Sequence, residues 1–495
     1  MSDDQGPQMT RALPATRRRL GERGTTFANA IASFPLCCPS RASLLTGQYA
    51  HNHGTTGNNR RSGGGYRALI DPDRTLGAWL QAAGYDTAFA GKWLNGLRTP
   101  HRPPPGWDEW HGLVGEGGEG LSSYYDYDVF EEEGGSPRHF GTAPGDYQTD
   151  ALTREYALPF VAAHAADPDP FFLWVAYHPP HHGLGRNDSA GRRCADGSPD
   201  SRDARQSAIP PPRYADRYAH AAIPAPPSFD EQNVSDKPSA VARRDRIGPG
   251  DLERIRRDYR CGLAALRALD DSVDSIVGEL RASGQLGSTI LVFTSDQGVF
   301  AGQHRITRGK NKPYEEALDV PLVIRGPGIV AGRTVAAPVA NADLAPTLLD
   351  LAGVSIAPEL ARPIDGVSLA PQLAGAVPDA GRAIPIEGRA NVARARRGVK
   401  VASYVGVRTK RYSYVEYRRA RFAHERQGAE APIGVGRTTA RELYDLARDP
   451  YELRNRATDR RYRDTRRTLA GALGRLDRCS GPECAVDLTV PGPRG

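Results

Sequence analysis

The most chemically loaded stretch of the chain is Cys37-Cys38-Pro39-Ser40-Arg41-Ala42-Ser43-Leu44-Leu45-Thr46-Gly47. Pro39 reads as the opening of a helix and Gly47 as its stop, which puts Cys37 at the positive N-terminal end, where a nucleophile or an anion is stabilised. Adjacent cysteines also occur as buried thiols or as half of a metal site, but no second Cys or His pair with zinc spacing lies nearby. Hard oxygen donors come from Asp3 and Asp4 at the start of the sequence and from Asp296 and Gln297 far along it. Cationic and proton-exchanging side chains come from Arg41, Lys92, Lys310, and His181 within Tyr177-His178-Pro179-Pro180-His181-His182. Singly, these read as a helix-capping acid pair, a loop histidine and solvated lysines. Together they supply oxygen ligands for a divalent cation and positive charge for an anionic substrate.

The elements that must position them are short apolar runs with the character of buried strands, at residues 87–90, 171–177, 289–294 and 320–324. Lys92 follows the first run, His181 the second, Asp296 and Gln297 the third, and Lys310 stands a short loop further on. The runs alternate with helical segments such as 75–83, so the expected fold is α/β, a mostly parallel sheet sandwiched by helices. In such sheets ligands sit beyond the carboxyl ends of the strands. Residues 185–250 lose all periodicity and fill with Pro, Arg, Asp and Ser, which reads as a lid or rim. Asp251 then reads as the N-cap of a long amphipathic helix carrying Ile255, Tyr259, Leu263, Leu266 and Leu269 and ending near Gly284. Beyond residue 375 a hairpin (405–409 with 411–417), a strand (442–446) and a closing helix (460–476) predict a smaller α+β domain, 376–495, after a catalytic domain, 1–375.

Composition narrows the class. The 495 residues are 39% hydrophobic with six cysteines, which supports a sizeable core and excludes a disordered chain or a disulfide-dense mini-scaffold. No apolar run approaches the ~20 residues of a membrane-spanning helix. The net charge of +7 hides only six Lys among 65 basic residues. Arg that has displaced nearly every Lys makes the survivors at 92 and 310 conspicuous, since an ammonium is a compact charge able to exchange protons. Nucleic-acid binding has no motif behind it and is rejected. Met1–Gln5 hold no secretory signal. Cys479 and Cys484 are spaced to close a short loop as a disulfide.

Cys37-x-Pro39-Ser40-Arg41 with Leu45-Thr46-Gly47 resembles the signature of the type I sulfatases of the alkaline-phosphatase superfamily, in which the Cys is oxidised to formylglycine. The likeness extends over essentially the whole chain, through Asp3-Asp4-Gln5, Gly91-Lys92-Trp93, Pro180-His181, Ser295-Asp296-Gln297-Gly298, Lys310 four residues before Tyr314-Glu315, and Glu442-Leu443-Tyr444-Asp445-Leu446. Within that family it is most similar to the N-acetylglucosamine-6-sulfatases of glycosaminoglycan degradation, on Lys92-Trp93-Leu94-Asn95, His51-Asn52-His53 and the terminal Cys479 to Cys484 segment.

The resemblance implies a sulfuric ester hydrolase that removes 6-O-sulfate from N-acetylglucosamine in sulfated glycans. Cys37 becomes the formylglycine nucleophile, matured by a formylglycine-generating enzyme. One calcium is held by Asp3, Asp4, Asp296, Gln297 and residue 37 itself; Arg41, Lys92 and Lys310 neutralise developing charge, and His181 serves the leaving oxygen, with Lys310 sharing the acid role. Alternatives are an arylsulfatase or another sulfate, phosphonate or phosphate ester hydrolase of the superfamily, and an inactive sulfated-glycan-binding protein. The family also implies a secreted or extracytoplasmic protein. Two departures stand out. Gln297 occupies a position where Asn is common, and the apolar strand that sulfatases place before the acidic pair is missing ahead of Met1-Ser2-Asp3. An internal or trimmed start is the expectation, with unpaired neighbouring strands and a poorly fixed metal site as its cost.

Overall fold

Residues as far apart as Asp3 and Asp296 meet because the segments that carry them end at the same edge of one sheet. The computed structural model describes residues 1–59, 64–97, 102–113, 123–131, 135–183, 207–377, 381–388, 402–419 and 436–494. In chain order the first elements around the site are strand β1 (Thr25–Phe27), helices α1 (Cys37–Thr46) and α2 (Ala50–His53), and strands β2 (Asp86–Lys92), β3 (Glu109–Leu113), β4 (Tyr127–Phe130), β5 (Arg138–Phe140) and β6 (Phe171–Ala176). Helix α3 (Pro249–Ala282) and strands β7 (Leu291–Thr294), β8 (Leu322–Arg325) and β9 (Arg333–Val335) follow. The strands form two blocks, β5-β4-β3-β2-β6 and β9-β1-β8-β7. β2 is parallel to β3 and β6, whereas β8 runs antiparallel to β1 and β7.

Met1–Asp3 joins the blocks, paired in parallel with residues at the ends of both β6 and β7. Ser2 N–H donates to Thr294 O (3.0 Å), Asp3 N–H to Pro179 O (3.1 Å), and Tyr177 N–H to Met1 O (2.9 Å). On the amino-terminal side of Met1, β6 and β7 line a cavity of about 620 Å³ whose walls include Phe172, Leu173, Val277, Leu291, Val292 and Leu344.

Alternation along the strands splits the core between the two faces of the sheet. Val175 and Phe293 pack with Tyr259, Leu263 and Leu266 of α3. Trp174, Ala176 and Leu322 pack on the other side with Cys38, Ala42 and Leu45 of α1. Helices thus cover both faces, as expected for this fold class.

Local boundaries move where proline is involved. α3 begins at Pro249 with Gly248 as N-cap, so Asp251 lies in the first turn rather than at the cap; α1 begins at Cys37, with Pro39 inside its first turn. The first-turn N–H groups have no intrahelical acceptor, so proline is tolerated there. The run 320–324 splits at Pro321, which has no N–H to donate: Asp319–Val320 pairs with Ala30–Ile31, and β8 pairs with β1 and β7. Residues 207–248 hold only short helices, Pro212–Tyr214 and Ser239–Ala242; the rest of the expected lid, 185–206, lies outside the described residues.

The carboxyl-terminal region adds β10 (Arg382–Gly388), β11 (Ala402–Arg408), β12 (Tyr412–Arg419), β13 (Arg437–Asp445), α4 (Arg463–Leu476) and β14 (Val486–Asp487). Its antiparallel sheet runs β13-β12-β11-β10-β14, and α4 buries Leu469, Leu473 and Leu476. Cys479 and Cys484 form a disulfide. This region is tied to the site through α2: His51 Nδ1 lies 2.6 Å from Glu387 Oε1, and the other ring nitrogen lies 2.9 Å from the Cys479 carbonyl. Asn52 donates to the same carbonyl and to Asp365, each at 2.8 Å.

Burial alone lowers the pKa of His51, but the Glu387 carboxylate more than offsets it and raises the group to about 9. The stabilisation from this pair is therefore complete below about pH 6.5, the unfolded value, and is lost as the pH climbs through about 9. The thermal midpoint of the native chain should exceed that of His51→Gln at about pH 6 and approach it by about pH 10. A gap that stays constant across that range would rule out the ion pair as its source.

Candidate active site

α1 is buried along its whole length although it carries Ser40, Arg41, Ser43 and Thr46. It stops where expected: Gly47 takes a left-handed conformation (φ 66°), and a Cβ there would lie 2.8 Å from Ile364. At the other end Leu36 is extended, and the chain turns into the helix at Cys37. Cys37 Sγ lies 3.0 Å from Lys310 Nζ, 3.6 Å from Gln297 Nε2, and 3.8 Å from both Lys92 Nζ and Asp3 Oδ1.

Each neighbour is delivered by an element end. Lys92 closes β2 after Gly91, whose φ of 115° and close approach to Ala176 O, 2.2 Å from where a Cβ would stand, admit only glycine. The next residue, Trp93, packs at 4.9 Å from Phe89 and 5.2 Å from Trp110 and fixes the end of the strand. Lys92 Nζ donates to the Asp3 carboxylate. Arg41, 1% exposed, donates from Nε to Asp296 Oδ2 (2.9 Å) and from Nη1 to Lys92 O (2.5 Å), and its Nη2 lies 3.5 Å from Asp3 Oδ2. Asp296 Oδ1 accepts from Asp4 N–H and Gln297 N–H, both at 3.0 Å. Lys310 Nζ donates to Asp4 Oδ1 at 2.5 Å, and His181 Nε2 stands 3.6 Å from Asp4 Oδ2. All nine expected residues therefore share one buried cluster.

Their charges are mutually set. Burial would push the Asp3 carboxyl up, but Lys92, His181 and Arg41 bring it well below the usual range. Asp296 has the reverse balance: burial and then Asp3 raise it to about 6, despite Arg41. Lys310 stays protonated because Asp4 and Cys37 outweigh its burial. Burial holds His181 neutral, down to about 4, with Lys92 adding to the effect, and it keeps the Cys37 thiol protonated against Lys310 and Lys92.

The donor set, rather than its net charge, is what suits a metal ion. Ligand atoms of Asp3, Asp4, Cys37 and His181 lie within 4.8 Å of one another, and Gln297 Oε1 is buried without a hydrogen-bond partner. This oxygen-rich set fits calcium. The extra methylene of Gln297 does not carry its amide away, since Nε2 still reaches the Asp4 carboxylate and Cys37.

Sequence reading missed three supports. His178 is fully buried, with Nδ1 4.0 Å from Asp3 Oδ2 and its ring 4.9 Å from that of His181. It stood in the same run directly after the strand, and that position was its signal. Asn58 Oδ1 accepts the Cys38 N–H (3.0 Å), and Asn341 Nδ2 donates to the Ser40 carbonyl (3.0 Å). Neither contact has a local sequence signal.

Residues 3–354 match the family model described as Sulfatase, and residues 302–427 match that of N-sulphoglucosamine sulphohydrolase, C-terminal. The chain belongs to the sulfatase family. It is 32% identical over 359 residues to a putative extracellular sulfatase Sulf-1 homolog of Caenorhabditis elegans, covering 72% of this chain and 46% of that protein. It is 30% identical over 366 residues to the N-acetylglucosamine-6-sulfatase of Homo sapiens, covering 72% of this chain and 60% of that protein. The chain thus matches about half the length of these relatives. A solved structure of a protein in complex with its substrate D-glucosamine-2-N,6-O-disulfate superposes with a TM-score of 0.72 at 25% identity, covering 96% of this chain and 95% of the other.

Replacing Asp296 by Asn removes one charge from the carboxylate cluster and leaves Arg41 with Asp3 as its remaining ion-pair partner. Equilibrium dialysis should show calcium affinity reduced by roughly 100-fold or more relative to the native chain, because ligand charge tunes such sites over orders of magnitude. Unchanged affinity would place the calcium elsewhere.

Proposed function

We propose that this chain is a sulfuric ester hydrolase that removes 6-O-sulfate from N-acetylglucosamine residues of sulfated glycans. The observation that carries the reaction class is the charge balance around Cys37: three carboxylates, Asp3, Asp4 and Asp296, face three cations, Arg41, Lys92 and Lys310. A divalent cation added to this neutral set leaves two positive charges. A deprotonated nucleophile and a sulfate monoester monoanion bring the site back to neutrality.

Formylglycine at position 37, made by a formylglycine-generating enzyme, supplies as its hydrate the two geminal oxygens that a simple serine lacks. Asp3, Asp4, Asp296, Gln297 and residue 37 would hold a calcium ion, which would supply Lewis acidity to the nucleophile and to the sulfate ester. The chain's own residues do the rest. Arg41 orients the carboxylates and holds the end of β2 through the Lys92 carbonyl. Lys92 and Lys310 flank the position-37 side chain and offset charge that builds on the transferring group. His181, neutral, orients the leaving oxygen, and the Lys310 ammonium holds the proton that oxygen needs.

Glycan specificity is supported by the relatives named N-acetylglucosamine-6-sulfatase and by the likeness to the structure holding a 6-O-sulfated glucosamine. In this reading residues 1–375 are the catalytic unit, 185–250 its rim, and 376–495 a smaller unit docked beside the site through His51 and Asn52. The relatives named as extracellular sulfatases favour an extracytoplasmic protein. A second reading, an arylsulfatase, is supported by 28% identity to an arylsulfatase of Volvox carteri over the whole of this chain.

After co-expression with a formylglycine-generating enzyme, mass spectrometry of the tryptic peptide 24–41 should show the aldehyde at Cys37 and an intact thiol at Cys38. Ion chromatography should then detect sulfate released from N-acetylglucosamine-6-sulfate, with release abolished in Cys37→Ala. Faster turnover of aryl sulfate or phosphodiester substrates would move the assignment to the second reading or to the wider superfamily. Salt-sensitive heparan binding with neither turnover nor calcium uptake would leave a binding protein.

A further inference from the structure

A second group of buried ligand atoms lies away from Cys37. His304 is fully buried, and its Nδ1 lies 2.7 Å from Glu231 Oε2, which orients the ring. That leaves Nε2 buried without a hydrogen-bond partner; its nearest carboxylate oxygen, Glu316 Oε2, is 3.6 Å away, beyond hydrogen-bond length. Glu316 Oε2 and Glu452 Oε1 are likewise buried and unpartnered. The opposite oxygen of each carboxylate is anchored: Ser228 Oγ donates to Glu316 Oε1 (3.0 Å), and the Glu315 N–H donates to Glu452 Oε2 (3.0 Å). One ligand atom from each of His304, Glu316 and Glu452 lies within 4.8 Å of the others. Each of the three residues also keeps one free buried atom while its other is held by a neighbour.

We propose that His304, Glu316 and Glu452 bind a zinc-class divalent transition metal. Three buried, unsatisfied ligand atoms are costly as they stand, and their chemistry selects the ion. Calcium and magnesium take oxygen ligands, whereas an imidazole nitrogen with two carboxylates suits zinc and its neighbours. The 3.6 Å between Nε2 and Oε2 is close to the edge of a tetrahedron, roughly 3.4 Å, for ligands about 2.1 Å from zinc. Two carboxylates neutralise the ion's charge, and a water completes the fourth position. The Glu231–His304 contact is the carboxylate–imidazole pairing that fixes the tautomer of a metal-bound histidine.

The site ties together three segments distant in sequence. Glu231 belongs to the irregular stretch after residue 207, His304 and Glu316 bracket the loop that carries Lys310, and Glu452 lies in the turn after β13. Within the loop, Tyr314 stacks on the His304 ring at 4.4 Å. A metal here would set the span of the loop that delivers Lys310 to Cys37. Its role would be structural, with the catalytic calcium a separate ion.

The test is metal analysis of the full chain, dialysed against zinc in the presence of excess calcium and then against calcium alone. The expected result is one zinc retained per chain, retained equally in Asp296→Asn, and bound about 100-fold more weakly in both Glu452→Gln and Glu316→Gln. Cobalt substitution should give visible d–d bands that the two Gln variants lose, and circular dichroism with a thermal melt checks that these variants are folded. Zinc absent from the folded native chain, or fully displaced by calcium, would overturn the proposal. So would zinc lost in Asp296→Asn, or retained undiminished in both folded Gln variants.

Discussion

Burying charge is expensive unless every charge is answered, and the neighbourhood of Cys37 is built around that constraint. Removing one partner from a buried ion pair typically costs about 3–5 kcal/mol. Here Arg41 alone touches Asp296, Asp3 and the carbonyl of Lys92. Through it the helix that begins at Cys37, the end of β2 and the segments holding the acids become one rigid unit. The surrounding core serves this unit: Trp93 and its aromatic neighbours fix the strand end on one side, and α3 supports the opposite face of the sheet. A catalytic group placed by packed strands and helices is held more precisely than one placed by a loop.

Lys310 is the exception, because it comes from a loop. Its ammonium is held by Asp4 at one end of the cluster, while the loop itself is anchored through Tyr314 and His304 against the segment at Glu231 and the turn at Glu452. The reacting centre and the distant buried acids are thus mechanically connected although they share no side chain.

What was legible in the sequence followed from local signals. The stretch from Cys37 to Gly47 carries its own helix stop, Lys92 and His181 follow recognisable apolar runs, and Asp296 and Gln297 end another, so their convergence could be argued from the rule that ligands gather at the carboxyl ends of strands. The element boundaries were less legible. Pro39, Pro249 and Pro321 each shift an end by up to three residues according to whether a backbone N–H is needed at that point. Tertiary partners left no trace at all. His51 meets Glu387 across 336 positions and Asn341 meets Ser40 across 301, and no periodicity or turn signal encodes such contacts. The same holds for His304 and Glu452, which only the fold brings together.

Among the described residues, the pairing of Met1–Asp3 with the segments after β6 and β7 fastens the two halves of the sheet along a seam, beside the cavity lined by the same two strands. The fastening residues include Asp3, and Asp4 is hydrogen-bonded through its own N–H to Asp296 on the far side of the seam. A cation held by acids from both banks, as proposed above, would act as a rivet as well as a reagent: it would resist the opening of the seam by the same bonds that assist the chemistry. Metal binding and the cohesion of the two blocks would then be one mechanical property.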